Sequence, residues 1–441
     1  MTARAAAVAR PIQPSLMHYR PFRMLSFSRF LSRVAHNALN FALVLLVVEE
    51  TERALMSALL VLALVIPSTV AGIAAGAAAD VFPKRLQIFT ADLLRAAVCV
   101  AFAMQDSSVP AYFTVAIVLA TLTQFASSAE GAILPAIVER RDLARANALG
   151  HAVTGLAQIA GFMILTPLML RLFNSPDLLF YSAAALFVVA AFYALFIGRQ
   201  ARNARDELGG LARDPWYSAG WREMRRDYRV FHAAVELTVI AAALIILGGL
   251  IPTYITDVLD LPIEVGVVVL LPAAVGVALG LQLANFFSHR IPVVLLSRAG
   301  FIGFVTFLFL VSFVEQEAAF LGGYGAFSWL NSVSIGSFDS AGVLAAIFVC
   351  PLGFFYALVA VASQTVLNDM VPLHLQGRVL ATQGAMAGIA SSVPVLLAGA
   401  LTDLTGVTFV MALLALTISV VAFTILRGPN RVAIRPAVVG R

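Results

Sequence analysis

The chain has 441 residues, of which 61% are hydrophobic and 12% are charged. Soluble domains are about 45–50% apolar and about 25% charged, so this composition excludes a water-soluble globular protein. The net charge is +5, but the basic residues fall between apolar blocks rather than on one water-facing patch, which excludes a nucleic-acid-binding surface. The two cysteines, Cys99 and Cys350, lie inside apolar runs and provide neither a disulfide framework nor a zinc site.

Apolar runs of about 20 residues, the length of a membrane-spanning helix, recur along the whole chain. Because an unpaired backbone group in lipid costs several kcal/mol, each of these spans should be helical. The sequence therefore predicts an all-α polytopic membrane protein with twelve spans, at 24–48, 56–79, 86–104, 111–134, 147–172, 178–198, 233–256, 265–287, 292–314, 342–368, 379–402 and 407–426.

The charges of the connections predict how the spans are oriented. Counted from the N-terminus, every even-numbered connection is basic, whereas the odd-numbered ones are mainly acidic. Cytoplasmic loops of membrane proteins carry the excess of Lys and Arg. We therefore expect both termini in the cytoplasm, and an even number of spans agrees with this alternation.

A long polar stretch at mid-chain, Arg199 to His232, divides the spans six and six. Its second part, Trp216 to Arg229, mixes aromatic and basic residues and predicts an amphipathic helix at the inner membrane surface. A second segment, Ala318 to Ser340, predicts either a short interfacial helix or a partial lid. The expected parts are an N-terminal cytoplasmic segment, a first bundle, a central loop, a second bundle and a tail, at 1–23, 24–198, 199–232, 233–426 and 427–441.

The two halves resemble each other in sequence. Span 2 reads Pro67, Gly72, Gly76 and Asp80, and span 8 reads Pro272, Gly276, Gly280 and Ala284. Glycines four residues apart give a smooth helix face that a neighbouring helix can approach closely. Two six-helix halves of the same polarity indicate a parallel repeat of the kind found in secondary transporters, arranged as two pseudo-symmetric bundles.

The connection between spans 2 and 3 carries the most specific motif, Gly76-Ala-Ala-Ala-Asp80-Val-Phe-Pro-Lys84-Arg85. It resembles the signature loop of the major facilitator superfamily, although Val81 and Pro83 depart from that pattern. Gly76 permits close helix contact, Asp80 can accept hydrogen bonds at a helix end, and the two cations can face an acid. Such contacts suit a latch between the halves. The residues expected to act in gating are Gly76, Asp80, Lys84, Arg85, Arg145, Arg378, Glu130 and Asp369, the last two as acids that hold a cation from a neighbouring loop.

Further segments are similar to the branch of macrolide-efflux and enterobactin-exporter-like proteins. They are Ala91-Asp92-Leu-Leu-Arg95, Leu134-Pro135-Ala-Ile-Val138 and Val371-Pro372 followed by Gly377-Arg378-Val379. The resemblance implies a substrate cavity between the halves that opens alternately to each side, efflux by antiport, often with protons, and a place in the bacterial inner membrane. The chain carries Ala35-His36 where many relatives have an acid, which weakens the expectation for protons.

Polar residues at membrane depth are the candidates for substrate contact or coupling, because a charged group there needs a partner, a cavity or an interface. Span 1 carries a stripe that should face the central cavity, formed by Ser26, Arg29, Arg33, His36, Asn37 and Asn40. For Arg29 the alternative is a side chain that reaches the inner interface, and for His36 a packing role. Asp92 and Arg95 can pair on span 3. Four further candidates are neutral, and hydrogen bonds between helices would explain most of them: Gln124, Ser127, Tyr356 and Gln364. The last candidate is Glu236, whose negative charge also suits the N-terminus of span 7.

These observations favour a secondary active exporter of amphipathic small molecules, drug-like or siderophore-like, that works as a monomer in the bilayer with protons as coupling ion. The alternative is an uptake permease or lysolipid flippase of the same fold. An enzyme is not expected, because the sequence contains no His-Glu-x-x-His, Gly-x-Ser-x-Gly or intramembrane aspartate pair. Neither a cofactor nor a metal is expected, and the chain lacks the phosphate-binding loop of a primary pump.

Overall fold

A computed structural model describes residues 16–105, 108–139, 142–173, 175–198, 216–261, 266–287, 291–322 and 339–426. Every element in this part of the chain is helical, and it contains no strand. The helices are α1 (Arg20–Thr51), α2 (Ala54–Val81), α3 (Lys84–Ala103), α4 (Val109–Ile137), α5 (Leu143–Ile159), α6 (Pro176–Leu195), α7 (Trp216–Arg226), α8 (Tyr228–Asp257), α9 (Leu271–Phe287), α10 (Val293–Ser312), α11 (Val314–Gly322), α12 (Ser340–Met370), α13 (Leu373–Thr405) and α14 (Val407–Leu426).

The predicted all-α membrane architecture is confirmed. Ten of the described helices are long and apolar enough to cross a membrane. Two shorter apolar segments, Ala152–Phe162 and Val268–Ala284, lie where the sequence predicts spans 5 and 8. Large apolar side chains such as Ile389 and Leu404 remain exposed, as expected for helices whose outer faces contact lipid rather than water.

Span 5 departs from regular α-helix in its second half. Two π-helical segments, Ala160–Leu165 and Leu168–Leu172, flank Pro167. Proline lacks the N–H that would continue the α-helical hydrogen bonding, so a local change of helix type here has a covalent cause. Next to it, the Thr166 hydroxyl lies 3.2 Å from the Ala38 carbonyl oxygen, which ties this distorted region to α1.

Some predicted segments lie wholly or largely outside the described residues. They are most of the N-terminal segment, the first part of the central loop, the greater part of the predicted lid and the tail, at 1–15, 199–215, 323–338 and 427–441. The predicted amphipathic helix is present as α7. Its Met224 is fully buried beside Leu367 and Val379, whereas Arg225 and Arg226 are exposed. The short helix α11 covers the start of the predicted lid.

The glycine prediction is right in one half and wrong at one position of the other. A methyl group added at Gly280 would lie 2.6 Å from the Phe354 carbonyl oxygen, and Gly276 meets the Cys350 backbone still more closely. The close contact of α9 with α12 therefore requires these glycines. Gly72 on α2 has open space within 4 Å, so it serves no close helix approach.

Candidate functional site

The helix bundle has two ends, called distal and proximal. The distal end is where α1 joins α2 and α13 joins α14. The proximal end is where α2 joins α3, and the sequence predicts that it faces the cytoplasm.

A buried ion pair lies on α3 in the amino-terminal half. An Arg95 guanidinium nitrogen is 2.6 Å from Asp92 Oδ1, and both side chains are almost fully buried. The Ser32 hydroxyl on α1 donates to the same Asp92 oxygen at 3.0 Å and accepts from Arg95 at 2.8 Å. The Arg95 guanidinium also stacks 4.2 Å from the ring centre of Phe187 on α6. The predicted Asp92–Arg95 pair is thus confirmed, and it links three helices.

A second group of charges connects α1 to α4. Glu130 Oε2 lies 3.0 Å from Arg29 Nε and 3.8 Å from a terminal nitrogen of Arg33. Glu130 is buried, whereas the two arginines are partly exposed. Glu130 thus pairs with α1 rather than with a loop cation, and Arg29 pairs with an acid rather than only reaching the interface. One buried carboxylate thus serves two guanidinium groups of α1.

His36 continues the same stripe toward the distal end. Its Nε2 lies 3.1 Å from Asn40 Nδ2, and its Nδ1 lies 3.4 Å from Thr123 Oγ1 on α4. The Thr123 hydroxyl donates to the Leu119 carbonyl oxygen at 2.6 Å, so its oxygen is left to accept from Nδ1–H. A neutral imidazole with its proton on Nδ1 satisfies both contacts. The packing role of His36 therefore has direct geometric support.

The contacts of this stripe show which helix it meets. Arg29, Arg33 and His36 contact α4 within the amino-terminal half, and the orientation of the stripe toward a central cavity stays a prediction. Asn37 and Asn40 are half-buried. Ser26 is buried, and its hydroxyl donates to the Phe22 carbonyl oxygen of its own helix.

In the carboxy-terminal half, a single carboxylate occupies a comparable place. Glu236 on α8 accepts a hydrogen bond from Ser297 of α10 at 2.8 Å and one from Ser363 of α12 at 2.9 Å. The carboxylate therefore lies between three helices of one bundle. Each half thus places a carboxylate at the contact between its first and fourth spans, which are α1 and α4 in one half and α8 and α12 in the other.

The remaining predicted substrate candidates make local contacts. The Ser127 hydroxyl lies 3.4 Å from the Gln124 side-chain oxygen on the same helix. Gln364 reaches Asn368 one turn away at 3.5 Å, and Tyr356 is half-buried against the main apolar cluster. These contacts leave substrate binding by the four side chains a prediction.

The gating residues are described only in part. The side chains of Asp80, Arg145 and Arg378 lie outside the described part of the chain, as does the environment of Gly76. Lys84 and Arg85 are half-buried in the first turn of α3, and Asp369 is exposed at the end of α12. Two residues after Arg85, the Gln87 side chain donates to the Phe125 carbonyl oxygen at 3.0 Å, which anchors the start of α3 to α4.

The sequence reasoning missed two residues that the geometry brings forward. Ser32 lies on the same helix face as Arg29 and His36, so the three- and four-residue spacing could have found it. Asp403, on α13, accepts hydrogen bonds from the backbone of α2 in the other half. A Gly-x-x-x-Asp spacing at Gly399–Asp403 repeats the motif of Gly76–Asp80 and was the available signal.

The described helices, ten of them long and apolar enough to cross a membrane, define a polytopic membrane protein. The family model of the Major Facilitator Superfamily matches residues 25–344, and the chain belongs to this superfamily. Its fold is similar to the crystal structure of a single-residue mutant of the nucleoside transporter NupG, with a TM-score of 0.69 and 13% identity over 92% of this chain and 99% of that one.

It is also similar to "A Bacterial Homolog to Human Lysosomal Transporter, Spinster, in Inward-facing And Unoccupied Conformation". The TM-score is 0.70, with 11% identity over 92% of this chain and 96% of that one. At these identities the likeness concerns the fold alone. No curated protein sequence matches this chain.

Proposed function

We propose that this transporter exports amphipathic small molecules across the bacterial inner membrane by alternating access and that protons drive the export. The motifs around Asp80, Pro135 and Arg378 support the macrolide-efflux and enterobactin-exporter-like branch. The strongly apolar spans with few polar anchors favour a cargo that is itself largely apolar.

The observation that carries the proton part is the Glu130 carboxylate between two guanidinium groups. A charged side chain in hydrocarbon costs at least about 2.5–3.5 kcal/mol, so an ionisable group at membrane depth is a candidate for a functional role. Protonation of Glu130 would remove the negative charge that Arg29 and Arg33 share. The contact between α1 and α4 would then weaken, which is how a proton can change the shape of one half.

Transport should be measured in proteoliposomes with an imposed pH gradient. The cargo panel should contain a macrolide, a catecholate siderophore, a lysophospholipid and a nucleoside. For a macrolide or siderophore, the expected result is accumulation on the acidic side that collapses when an uncoupler is added. Accumulation that survives the uncoupler would contradict proton coupling. Flux of only the nucleoside or the lysolipid would favour the permease or flippase alternative.

The variant Glu130→Gln separates coupling from cargo binding. It should lose accumulation driven by the pH gradient and keep exchange of labelled for unlabelled cargo, because exchange requires no net proton movement. Asp177→Asn, an exposed acid in the first turn of α6, is the matched control and should keep both activities. Gradient-driven accumulation by Glu130→Gln at the parental rate would remove Glu130 from the coupling mechanism.

A further inference from the structure

The motif Gly-x-x-x-Asp occurs at the ends of two helices that belong to different halves. Gly76–Asp80 lies at the proximal end of α2, and Gly399–Asp403 lies near the distal end of α13. We propose that the two halves meet at a gate at the distal end and that Asp403 is a positioning residue of this gate. Asp403 holds the halves together by capping the N-terminus of α2, and it releases them when the gate opens. The inference deepens the proposed function, since it presupposes that the halves separate during transport.

The cap consists of two hydrogen bonds between the halves. Asp403 Oδ1 accepts from the Ala54 N–H at 2.7 Å, and Oδ2 accepts from the Leu55 N–H at 3.2 Å. These are the first two residues of α2, whose N–H groups have no partner within their own helix. A carboxylate at this position also interacts favourably with the helix dipole. Because the carboxylate comes from the other half, the cap exists only while the distal ends are together.

Two neighbouring contacts join the halves at the same place, so that α2 meets α8 and α13 along a seam at the distal end. The Ser57 hydroxyl oxygen of α2 lies 2.7 Å from the Gly249 carbonyl oxygen of α8. A methyl group added at Gly399 would lie 2.6 Å from the Ala58 side chain and 3.0 Å from the Ala54 carbonyl oxygen. The glycine of the motif thus brings the helices close enough for the aspartate to reach the backbone of α2.

The position of the seam within the molecule supports a gate rather than a permanent joint. Three hydrogen bonds between described residues of the two halves lie together at this end of α2. A cavity of about 860 Å³ opens onto the seam, and its lining includes Glu52, Asp257 and Asp403. Water entering this cavity can take over the backbone donors of α2 once the carboxylate moves away.

The test measures how often the distal seam opens and needs no cargo. A single cysteine is placed at Val61, which faces Gly249 across the seam, in a chain whose Cys99 and Cys350 are replaced by alanine. A membrane-impermeant maleimide is added to reconstituted protein, and the labelling rate is recorded. Asp403→Asn should raise this rate about tenfold, a shift of about 1.4 kcal/mol in the opening equilibrium.

A second variant removes the donor instead of the acceptor. Ala54→Pro deletes the N–H that Asp403 accepts from, and proline is tolerated at the first position of a helix. The preceding residue, Arg53, already has the extended backbone that a following proline requires, with φ −130° and ψ 122°. Ala54→Pro should therefore raise the labelling rate while α2 stays folded.

Two substitutions serve as matched controls. Gly384→Ala alters a glycine of the same helix α13 that has nothing within 4 Å, and Asp177→Asn removes an exposed acidic charge elsewhere. Both should label at the parental rate. If Asp403→Asn and Ala54→Pro also label at that rate while they remain monodisperse in detergent, Asp403 does not hold the gate. If Asp403→Asn misfolds, the labelling rate of Ala54→Pro alone decides whether Asp403 holds the gate. Failure to export any cargo would contradict the proposed function and leave this result standing.

Discussion

Removal of Arg95 should destabilise the fold more than any substitution of an exposed basic residue. Arg95 and Asp92 are 1% and 0% exposed, and their charged atoms are 2.6 Å apart. Replacement of one member of a buried pair leaves the other charge unpaired, which costs about 3–5 kcal/mol. Arg95→Gln also loses the contact with Phe187, which contributes up to about 2 kcal/mol when it is desolvated. We therefore expect at least about 3 kcal/mol from Arg95→Gln and a similar loss from Asp92→Asn.

A double-mutant cycle distinguishes this explanation from a general loss of packing. Asp92→Asn combined with Arg95→Gln removes both charges. The free energy of unfolding lost by the double variant should therefore be smaller than the sum of the two single losses by at least about 2 kcal/mol. Reversible unfolding in mixed micelles of SDS and a mild detergent, followed by circular dichroism, gives the free energies. Arg53→Gln, at an exposed position, is the control. Additive losses, or a loss below about 1 kcal/mol for Arg95→Gln, would refute the reasoning.

Two further substitutions test a helix contact and a gating residue. Gly353→Ala should lower the free energy of unfolding by about 1–3 kcal/mol, because the added methyl group would lie 3.0 Å from the Ala273 carbonyl carbon; Gly384→Ala, with open space, should change it by no more than about 1 kcal/mol in the same titration. Asp80→Asn should slow transport while membrane insertion stays intact, as measured by initial uptake rate and by gel filtration of the extracted protein. Normal turnover would show that Asp80 has no part in gating.

The fold was predictable because its signal is local. A run of about 20 apolar residues predicts a spanning helix whatever its neighbours are. The Asp92–Arg95 pair was predictable for the same reason, since its members are one turn apart on one helix. The partner of Glu130 was not predictable. Arg29 lies 101 residues away, and nothing in the sequence distinguishes it from a loop cation at similar depth.

Packing explains why the same glycine spacing gives a close helix contact at one position and none at another. Gly72 and Gly276 have the same place in the sequence repeat, yet only Gly276 meets a neighbouring backbone. A glycine permits close approach, but the neighbouring helix decides whether the approach occurs, and that information lies elsewhere in the chain. The contact of the span 1 stripe with α4 was not predictable for the same reason. Charge requires the stripe to avoid lipid, but its partners on α4 lie far along the chain.

The difference between contacts within and between the halves has a mechanical consequence. Inside the amino-terminal half, Ser32 ties α1 to the buried Asp92–Arg95 pair of α3, whose members cost about 3–5 kcal/mol to leave unpaired. The hydrogen bonds at the seam join backbone groups to Asp403 or Ser57, and hydrogen bonds of these kinds are worth about 0.5–3 kcal/mol each. Water can replace them at an open seam, whereas the Asp92–Arg95 pair is almost fully shielded from water inside its bundle. We therefore expect a force that separates the halves to break the seam before it breaks this ion pair.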